Sequence, residues 1–460
     1  MFKRQKICAG LVIAITIVQM LSMLKIYDFR PLIALLGILL LLFTYNLMST
    51  SFKRMTVIFI FLGACINIYT GQALFSWING VNYMLNIAGI LVIMQIFNIP
   101  IKLGNYTNIL QRLILCNFKN ERTIYIFATL VSQLFASFLL FGTIPVMVAL
   151  MGPALSKTVV DYKRFASTAF TRSQAMVGIW SPGAVNMLLA VEATGSRWID
   201  IFYLGIIMGT FGLILSYFIQ LPYLSTKKLQ GSFSNYCDTR QIAGIAFRKI
   251  AFIFLIVVVL IVMIMFFEHL NIGNNTLRVM LACLILSTLW LSMFVKVSGF
   301  GEAIGEYFNV DLVKTADLAV LYGALGFFSK ALENSGIIPY FYPYLSIIAQ
   351  SSGIFILPII STIVFLLSFT GLHPFIIIVF LGKMLTSFHL PFSSAIITMA
   401  LLVGAAASYT VSPFAGIVLT ASKYLDAPVY EVGFKWNRTF AGCYFVLGSL
   451  MVMLLTNFFH

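Results

Sequence analysis

Apolar segments long enough to cross a bilayer follow one another from Leu11 to the C-terminus, and four are broken at their centres by glycine or proline. In hydrocarbon every backbone N–H and C=O needs an internal partner, so a helix can be interrupted at that depth only where the break is buried in protein or lines a cavity. The breaks come in matched pairs. Phe141-Gly142-Thr143-Ile144-Pro145 is followed by Trp180-Ser181-Pro182-Gly183-Ala184, and Thr370-Gly371-Leu372-His373-Pro374 by Val411-Ser412-Pro413-Phe414-Ala415. Pro145 stands 36 residues before Ser181, and Pro374 stands 38 before Ser412. Short or interrupted apolar segments at corresponding places in two halves mark the substrate site of secondary transporters.

With 61% hydrophobic and only 9% charged residues, the 460-residue chain is an integral membrane protein without room for an extramembrane domain. Its net charge of +15 lies in short loops beside apolar segments, which reads as the positive-inside bias and not as a nucleic-acid surface. The start, Met1-Phe2-Lys3-Arg4-Gln5-Lys6, leads into an apolar run with no small-residue cleavage site after it, so we expect a first span that is retained. Six scattered cysteines imply neither a disulfide framework nor a metal site.

Basic clusters fix an expected topology. Lys3, Arg4 and Lys6 place the N-terminus in the cytoplasm, with spans near 8–24, 31–49, 55–71 and 81–99. The stretch 124–155 has basic residues at both ends and Gly142 to Pro145 in its middle, which predicts a re-entrant hairpin. A broken span at 165–195 and spans at 200–221, 250–267, 276–296 and 314–331 follow. A second hairpin at 353–385, a broken span at 391–421 and a last span at 439–457 complete the chain. The expectation is an all-α polytopic membrane protein with about 11 transmembrane helices plus two re-entrant hairpins in two inverted repeats. Its parts are N-terminal helices (1–75), the first repeat (76–224), a cytoplasmic loop with linking helices (225–313) and the second repeat (314–460). Amphipathic connectors precede the hairpins, with Ile109, Leu110, Leu113 and Ile114 in one and Ile337 to Ile348 in the other.

On these breaks and spacings the chain resembles the ion transporter superfamily, in the layout of the divalent anion/sodium symporters. The resemblance covers about 80–457 and implies that the four tips enclose substrate and coupling cations, that hairpins and broken helices move past a static scaffold, and that the protein is a homodimer. Carried over by position, the substrate-binding set is Gly142, Thr143, Pro145, Ser181, Pro182, Gly183 and Asn186, with Thr370, Gly371, His373, Pro374, Ser412, Pro413 and Gly416. The family's Ser-Asn-Thr tips are replaced here by Gly-Thr-Ile-Pro and Gly-Leu-His-Pro.

Residue chemistry adds its own reading. Pro182 and Pro413 release carbonyls that can serve a cation, and helices restarting after the prolines turn N–H groups toward an anion. His373 is the one titratable tip residue and a candidate proton carrier. Arg172, nine residues before Ser181, reads as a snorkelling side chain near the cytoplasmic interface, and Glu192 and Lys423 as interfacial anchors. Lys330 with Glu333 and Asp311 with Lys314 read as helix-surface ion pairs. The function expected is a secondary active permease of the cytoplasmic membrane for a small anionic solute. No cofactor or metal is implied beyond coupling by Na+ or H+. A membrane-embedded enzyme or flippase for lipid-linked envelope precursors is the competing reading, against which stands the lack of HExxH, GxSxG or clustered carboxylates.

Overall fold

The computed structural model describes residues 2–24, 27–48, 50–118, 120–139, 143–225, 239–336, 347, 351–370, 374–386 and 390–457. All regular structure among them is helical. In chain order the first half comprises α1 (Phe2–Met23), α2 (Arg30–Thr44), α3 (Thr50–Tyr69), α4 (Leu74–Asn82), α5 (Asn86–Met94), α6 (Asn98–Leu103), α7 (Tyr106–Asn117), α8 (Glu121–Leu139), α9 (Thr143–Thr158), α10 (Tyr162–Val177), α11 (Val185–Thr194) and α12 (Trp198–Gln220). The second half adds α13 (Thr239–His269), α14 (Asn275–Ser292), α15 (Phe300–Glu306), α16 (Leu312–Asn334), α17 (Ile356–Leu367), α18 (Pro374–Thr386), α19 (Ser394–Val411), α20 (Gly416–Leu425) and α21 (Trp436–Leu455).

Eight helical runs among the described residues are long and apolar enough to span a membrane, or nine if a bent pair between residues 88 and 115 counts as one span. The protein is therefore an all-α polytopic membrane protein. Some of the eleven expected spans are assembled from shorter pieces. The span expected at 31–49 is a 15-residue helix, and 81–99 is divided between α4, α5 and a short 3-10 turn. The connector expected at Ile337 to Ile348 falls almost wholly outside the described residues.

The chain forms two compact units. The first comprises 1–104 and 260–347, the second 105–259 and 348–460, so each sequence repeat contributes to both. In the first unit α16 packs on α3 and α4 along a glycine-bearing face. A methyl group at Gly326 would lie 2.8 Å from the Met84 nitrogen, and one at Gly63 would lie 2.8 Å from the Phe327 ring. Close backbone approach through small residues is the means by which helices associate where both the lipid and the partner are apolar.

The second unit holds both expected hairpins and both broken spans. α8 and α9 pack together, as do α17 and α18, and α10 and α19 pack against α8 and α17 respectively. The amphipathic α7 buries Leu110, Leu113 and Ile114. It also serves a proline: Pro153 inside α9 has no N–H for the Ala149 carbonyl, and Gln111 of α7 donates to that oxygen at 3.4 Å. At the start of α8 the carboxylate of Glu121, 1% exposed, accepts from the backbone N–H of Val160 at 2.7 Å and of Ser225 at 2.9 Å, tying two loop ends together.

Candidate functional site

Each broken span ends its first half at a Ser-Pro. Pro182 cannot donate to the Gly178 carbonyl nor Pro413 to that of Tyr409, so α10 and α19 stop and the chain restarts as α11 and α20. The serines close both breaks in the same way. Ser181 Oγ donates to the Ser137 carbonyl at 2.7 Å, and Ser412 Oγ donates to the Ser368 carbonyl at 2.7 Å, each across 44 residues. The same oxygens accept at 3.3 Å from the N–H two residues on, Gly183 in one copy and Phe414 in the other. Ser137 lies in the last turn of α8 and Ser368 directly follows α17, so each hydroxyl pins a break to the end of a neighbouring helix. Both serines are fully buried.

Glycines back the same joints. A Cβ on Gly205 of α12 would lie 2.5 Å from the Ile179 carbonyl oxygen, and one on Gly433 would lie 3.0 Å from the Val411 oxygen, so a neighbouring helix passes close before each Ser-Pro. The second halves end alike too. The residue after α11 is Gly195 at φ +66°, and the one after α20 is Asp426 at φ 49°, both left-handed. Gly195 is the residue type that adopts this freely, whereas Asp426 belongs to the short polar side chains that tolerate it.

Between the copies lies a cavity of about 50 Å³ lined by Gln174, Gly178, Val185, Asn186, Phe375 and Tyr409, among others. That is room for a few waters or one small ion. Gly178 and Tyr409 are repeat-equivalent positions, each four residues before its proline, so the cavity sits where the two interrupted helices meet. Asn186 is 7% exposed, and its Oδ1 has no hydrogen-bond partner. The residues lining the cavity carry no ionised side chain, and α11 begins at its wall, presenting N–H groups and the positive end of a helix dipole.

The fourteen residues expected to bind substrate fall into three groups. Ser181, Pro182, Gly183 and Asn186 are buried around the first break, and Thr143 is buried at the start of α9 with the half-buried Pro145 in its first turn. Ser412 is buried, but Pro413 is exposed and Gly416 half-exposed. Thr370 is exposed with its hydroxyl donated to the Leu367 carbonyl, and Pro374, which begins α18, is buried. Gly142, Gly371 and His373 lie outside the described residues. Gln174, Tyr409 and Phe375, which complete the cavity, were missed because no break marks them; Tyr409 could have been found by counting one helical turn back from Pro413.

Arg172 does not snorkel. It is 1% exposed and joins three helices of the second unit, α10, α12 and α21: Nε donates to Asn437 Oδ1 at 2.7 Å, Nη2 to the Trp436 carbonyl at 2.8 Å, and Nη1 to the Ser216 carbonyl at 3.3 Å. Tyr125 reaches Ser216 Oγ at 3.0 Å, and the guanidinium lies 5.0 Å from the Phe440 ring centre. Distance along α10 alone places Arg172 toward an interface, but neutral acceptors on α12 and α21 keep its charge inside. Residues Glu431–Lys435 form a π-helical turn, and just after it Asn437 donates Nδ2 to the Val432 carbonyl at 2.8 Å, which leaves its Oδ1 to accept from Arg172. Lys330 and Glu333 pair at 3.2 Å as expected; Asp311 lies 3.9 Å from Lys102, and the side chain of Lys314, its expected partner, lies outside the described residues.

Comparison with known proteins bears on the fold. A solved structure of the YdaH transporter from Alcanivorax borkumensis, described as having an unusual topology, is similar over 88% of this chain and 98% of that one, with a TM-score of 0.56 and 10% identity. At that identity the likeness is one of fold. Residues 185–290 match the family described as serpentine type 7TM GPCR receptor class ab chemoreceptor, a stretch of less than a quarter of the chain that begins inside a broken span. No curated protein matches in sequence.

Proposed function

We propose that this protein is a secondary active transporter for a small anionic solute, bound at the cavity between the two Ser-Pro breaks. The observation that carries the reading is the meeting of two repeat-equivalent interrupted helices at one buried polar cavity. An anion is favoured by the start of α11 and by the absence of a carboxylate in the lining; Gln174, Asn186 and Tyr409 give direction to its hydrogen bonds. The small volume means that a larger solute enters only when the breaks separate, which suits a carrier that alternates between open and occluded states.

Coupling to Na+ or H+ belongs to the same proposal. No cluster of three or more His, Cys, Asp or Glu side chains exists among the described residues, so a cation would rely on carbonyl and hydroxyl oxygens. Separation of the hairpins and broken spans into one compact unit supports an elevator motion of that unit. The inverted orientation of the repeats, a cytoplasmic N-terminus and a homodimeric assembly are part of this reading.

Thermal stability of the purified protein, measured with succinate, phosphate and glucuronate with and without Na+, tests it. At least one anion is expected to stabilise the wild type and to lose that effect in Asn186→Leu. Stabilisation that persists in Asn186→Leu, or none with any anion, overturns the assignment.

A further inference from the structure

The first unit is split along one side by an apolar cleft. α2 rests on α1 and α4 while α3 packs on α16, and between these two consecutive helices lie two adjoining cavities that share Leu41, Ile60 and Ala64 as walls. The outer one, about 500 Å³, is bordered by Leu42 and Phe61, which are 66% and 65% exposed. The inner one, about 190 Å³, ends against Trp77 of α4 and Phe327 of α16. Nothing in the transport reading uses this cleft. We propose that an anionic glycerophospholipid occupies it, one acyl chain lying between α2 and α3 with its end against Trp77 and its phosphate at Lys53 and Arg54.

Two facing stripes make the cleft. Val57, Ile60 and Ala64 of α3 recur at helical spacing, as do Ile38, Leu41 and Tyr45 of α2, so each set lies on one face of its helix. Lys53 stands one turn before Val57 on the same stripe, and its ammonium lies 4.5 Å from the Tyr45 ring centre, which puts it at one end of the cleft. From Lys53 to Ala64 the helix rises about 16 Å at ~1.5 Å per residue. That is about half of the ~30 Å hydrocarbon core, the depth that the acyl chains of one leaflet fill. Small side chains hold the inner cavity open, among them Ala64, Ala319, Gly323 and Ala324. The indole at its end offers no donor, because Trp77 Nε1 donates to the Gln72 carbonyl at 3.3 Å. An unfilled apolar void forfeits the dispersion contacts of its walls, and a flexible hydrocarbon chain restores them. A helix, about 10 Å across with its side chains, is too bulky for the inner cavity.

The charged end selects the headgroup. Lys53 is half-buried and Arg54 exposed, and neither forms an ion pair with a carboxylate among the described residues. Lys53 therefore keeps its N–H donors, and Arg54 its planar fork, for phosphate oxygens. In phosphatidylcholine or phosphatidylethanolamine the phosphate is balanced by the headgroup's own cation, whereas phosphatidylglycerol brings a net negative charge. A basic side chain at a membrane surface favours anionic lipid by about fivefold, so two of them discriminate clearly.

Trp77 reports on the cleft. The full-length protein should be placed in phosphatidylcholine vesicles with rising fractions of phosphatidylglycerol or phosphatidylcholine carrying brominated acyl chains, which quench indole emission on contact. Subtracting the signal of Trp77→Phe isolates this residue from the other tryptophans. Brominated phosphatidylglycerol is expected to quench Trp77 at a mole fraction about tenfold or more below that needed with brominated phosphatidylcholine. Lys53→Gln/Arg54→Gln should erase that preference, and Ala64→Leu, which narrows the wall common to both cavities, should erase the Trp77 quenching itself. Should Ala64→Leu fail to fold, the charge variant decides alone. Equal quenching by the two headgroups, no quenching of Trp77, or a preference that survives Lys53→Gln/Arg54→Gln would overturn the proposal. So would cross-linking of two copies through Cys65, exposed beside Ala64, in vesicles where Trp77 is not quenched, because the cleft would then be a contact between copies.

Discussion

The two Ser-Pro breaks share a sequence pattern and a hydrogen bond but not an environment. The first is buried throughout from Ser181 to Asn186, whereas the second exposes Pro413 and Phe414. With the serines superposed by number, 231 residues apart, Gly183 corresponds to Phe414, Gln174 to Ala405, and Asn186 to Ile417, which is 2% exposed and apolar. Arg172 corresponds to the buried Val403. The copies therefore agree on how to break a helix and hold it open, and they differ on what the break presents. Both copies carry the backbone device, and the polar lining of the cavity comes mainly from the first copy, joined by Tyr409 of the second.

A parallel difference exists where each copy ends. After α11, the hydroxyls of Thr194 and Ser196 meet that of Thr398 on α19 at 2.6–2.7 Å, all three buried. After α20, Asp426 meets Lys163 beside α10, its carbonyl accepting from Nζ and its carboxylate lying 3.8 Å away. Equivalent joints are thus closed by neutral hydroxyls in one copy and by an exposed ion pair in the other.

The largest expected effect falls on the residue that one copy has and the other lacks. Arg172→Met strands the Asn437, Trp436 and Ser216 acceptors and should destabilise the protein by about 3 kcal/mol or more, read by unfolding in SDS mixed micelles. Val403→Ala, at the equivalent position, should cost less; equal losses would mean that the guanidinium adds nothing beyond packing. Next come the backing glycines. Gly205→Ala must move a backbone oxygen or a helix and should cost about 1–3 kcal/mol, and Gly433→Ala, with its wider 3.0 Å approach, should cost less.

Removing the shared anchor should affect both copies alike. Ser181→Ala and Ser412→Ala each lose one interhelical hydrogen bond, worth roughly 0.6 kcal/mol in a membrane protein, and leave the Ser137 or Ser368 carbonyl without that donor. A loss in only one of them would show that the common geometry does not carry common energetics. Asn186→Leu should change stability little, because it removes an unpartnered polar atom, while abolishing anion-dependent stabilisation. The smallest effect is expected at the charged joint: Lys163→Met should shift stability by no more than about 0.5 kcal/mol, and by less in high salt, since Lys163 is half exposed. Thr398→Val, which removes a hydroxyl from the buried joint, should respond to salt not at all.

Much of this was legible in residue order. Glycine and proline act on the backbone locally, so the four breaks, the restart of α11 and α20 and the pairing of the copies could be read without coordinates. Apolar length likewise gave the helices at 198–220, 275–292 and 436–455 nearly as the structure has them. Arg172 shows where that reading fails: its distance from Ser181 along one helix was right, but its acceptors sit on two others, α12 and α21, and burial of a charge depends on acceptors that arrive through space. Gln174 and Phe375 carry no local mark for the same reason. The sequence by itself determined a polytopic helical membrane chain with two matched sets of interruptions, because backbone hydrogen bonding in lipid leaves few alternatives. Only the tertiary structure decided which break is buried, which amide oxygens are left without donors and which cation is held inside, since each depends on packing between segments far apart in the chain.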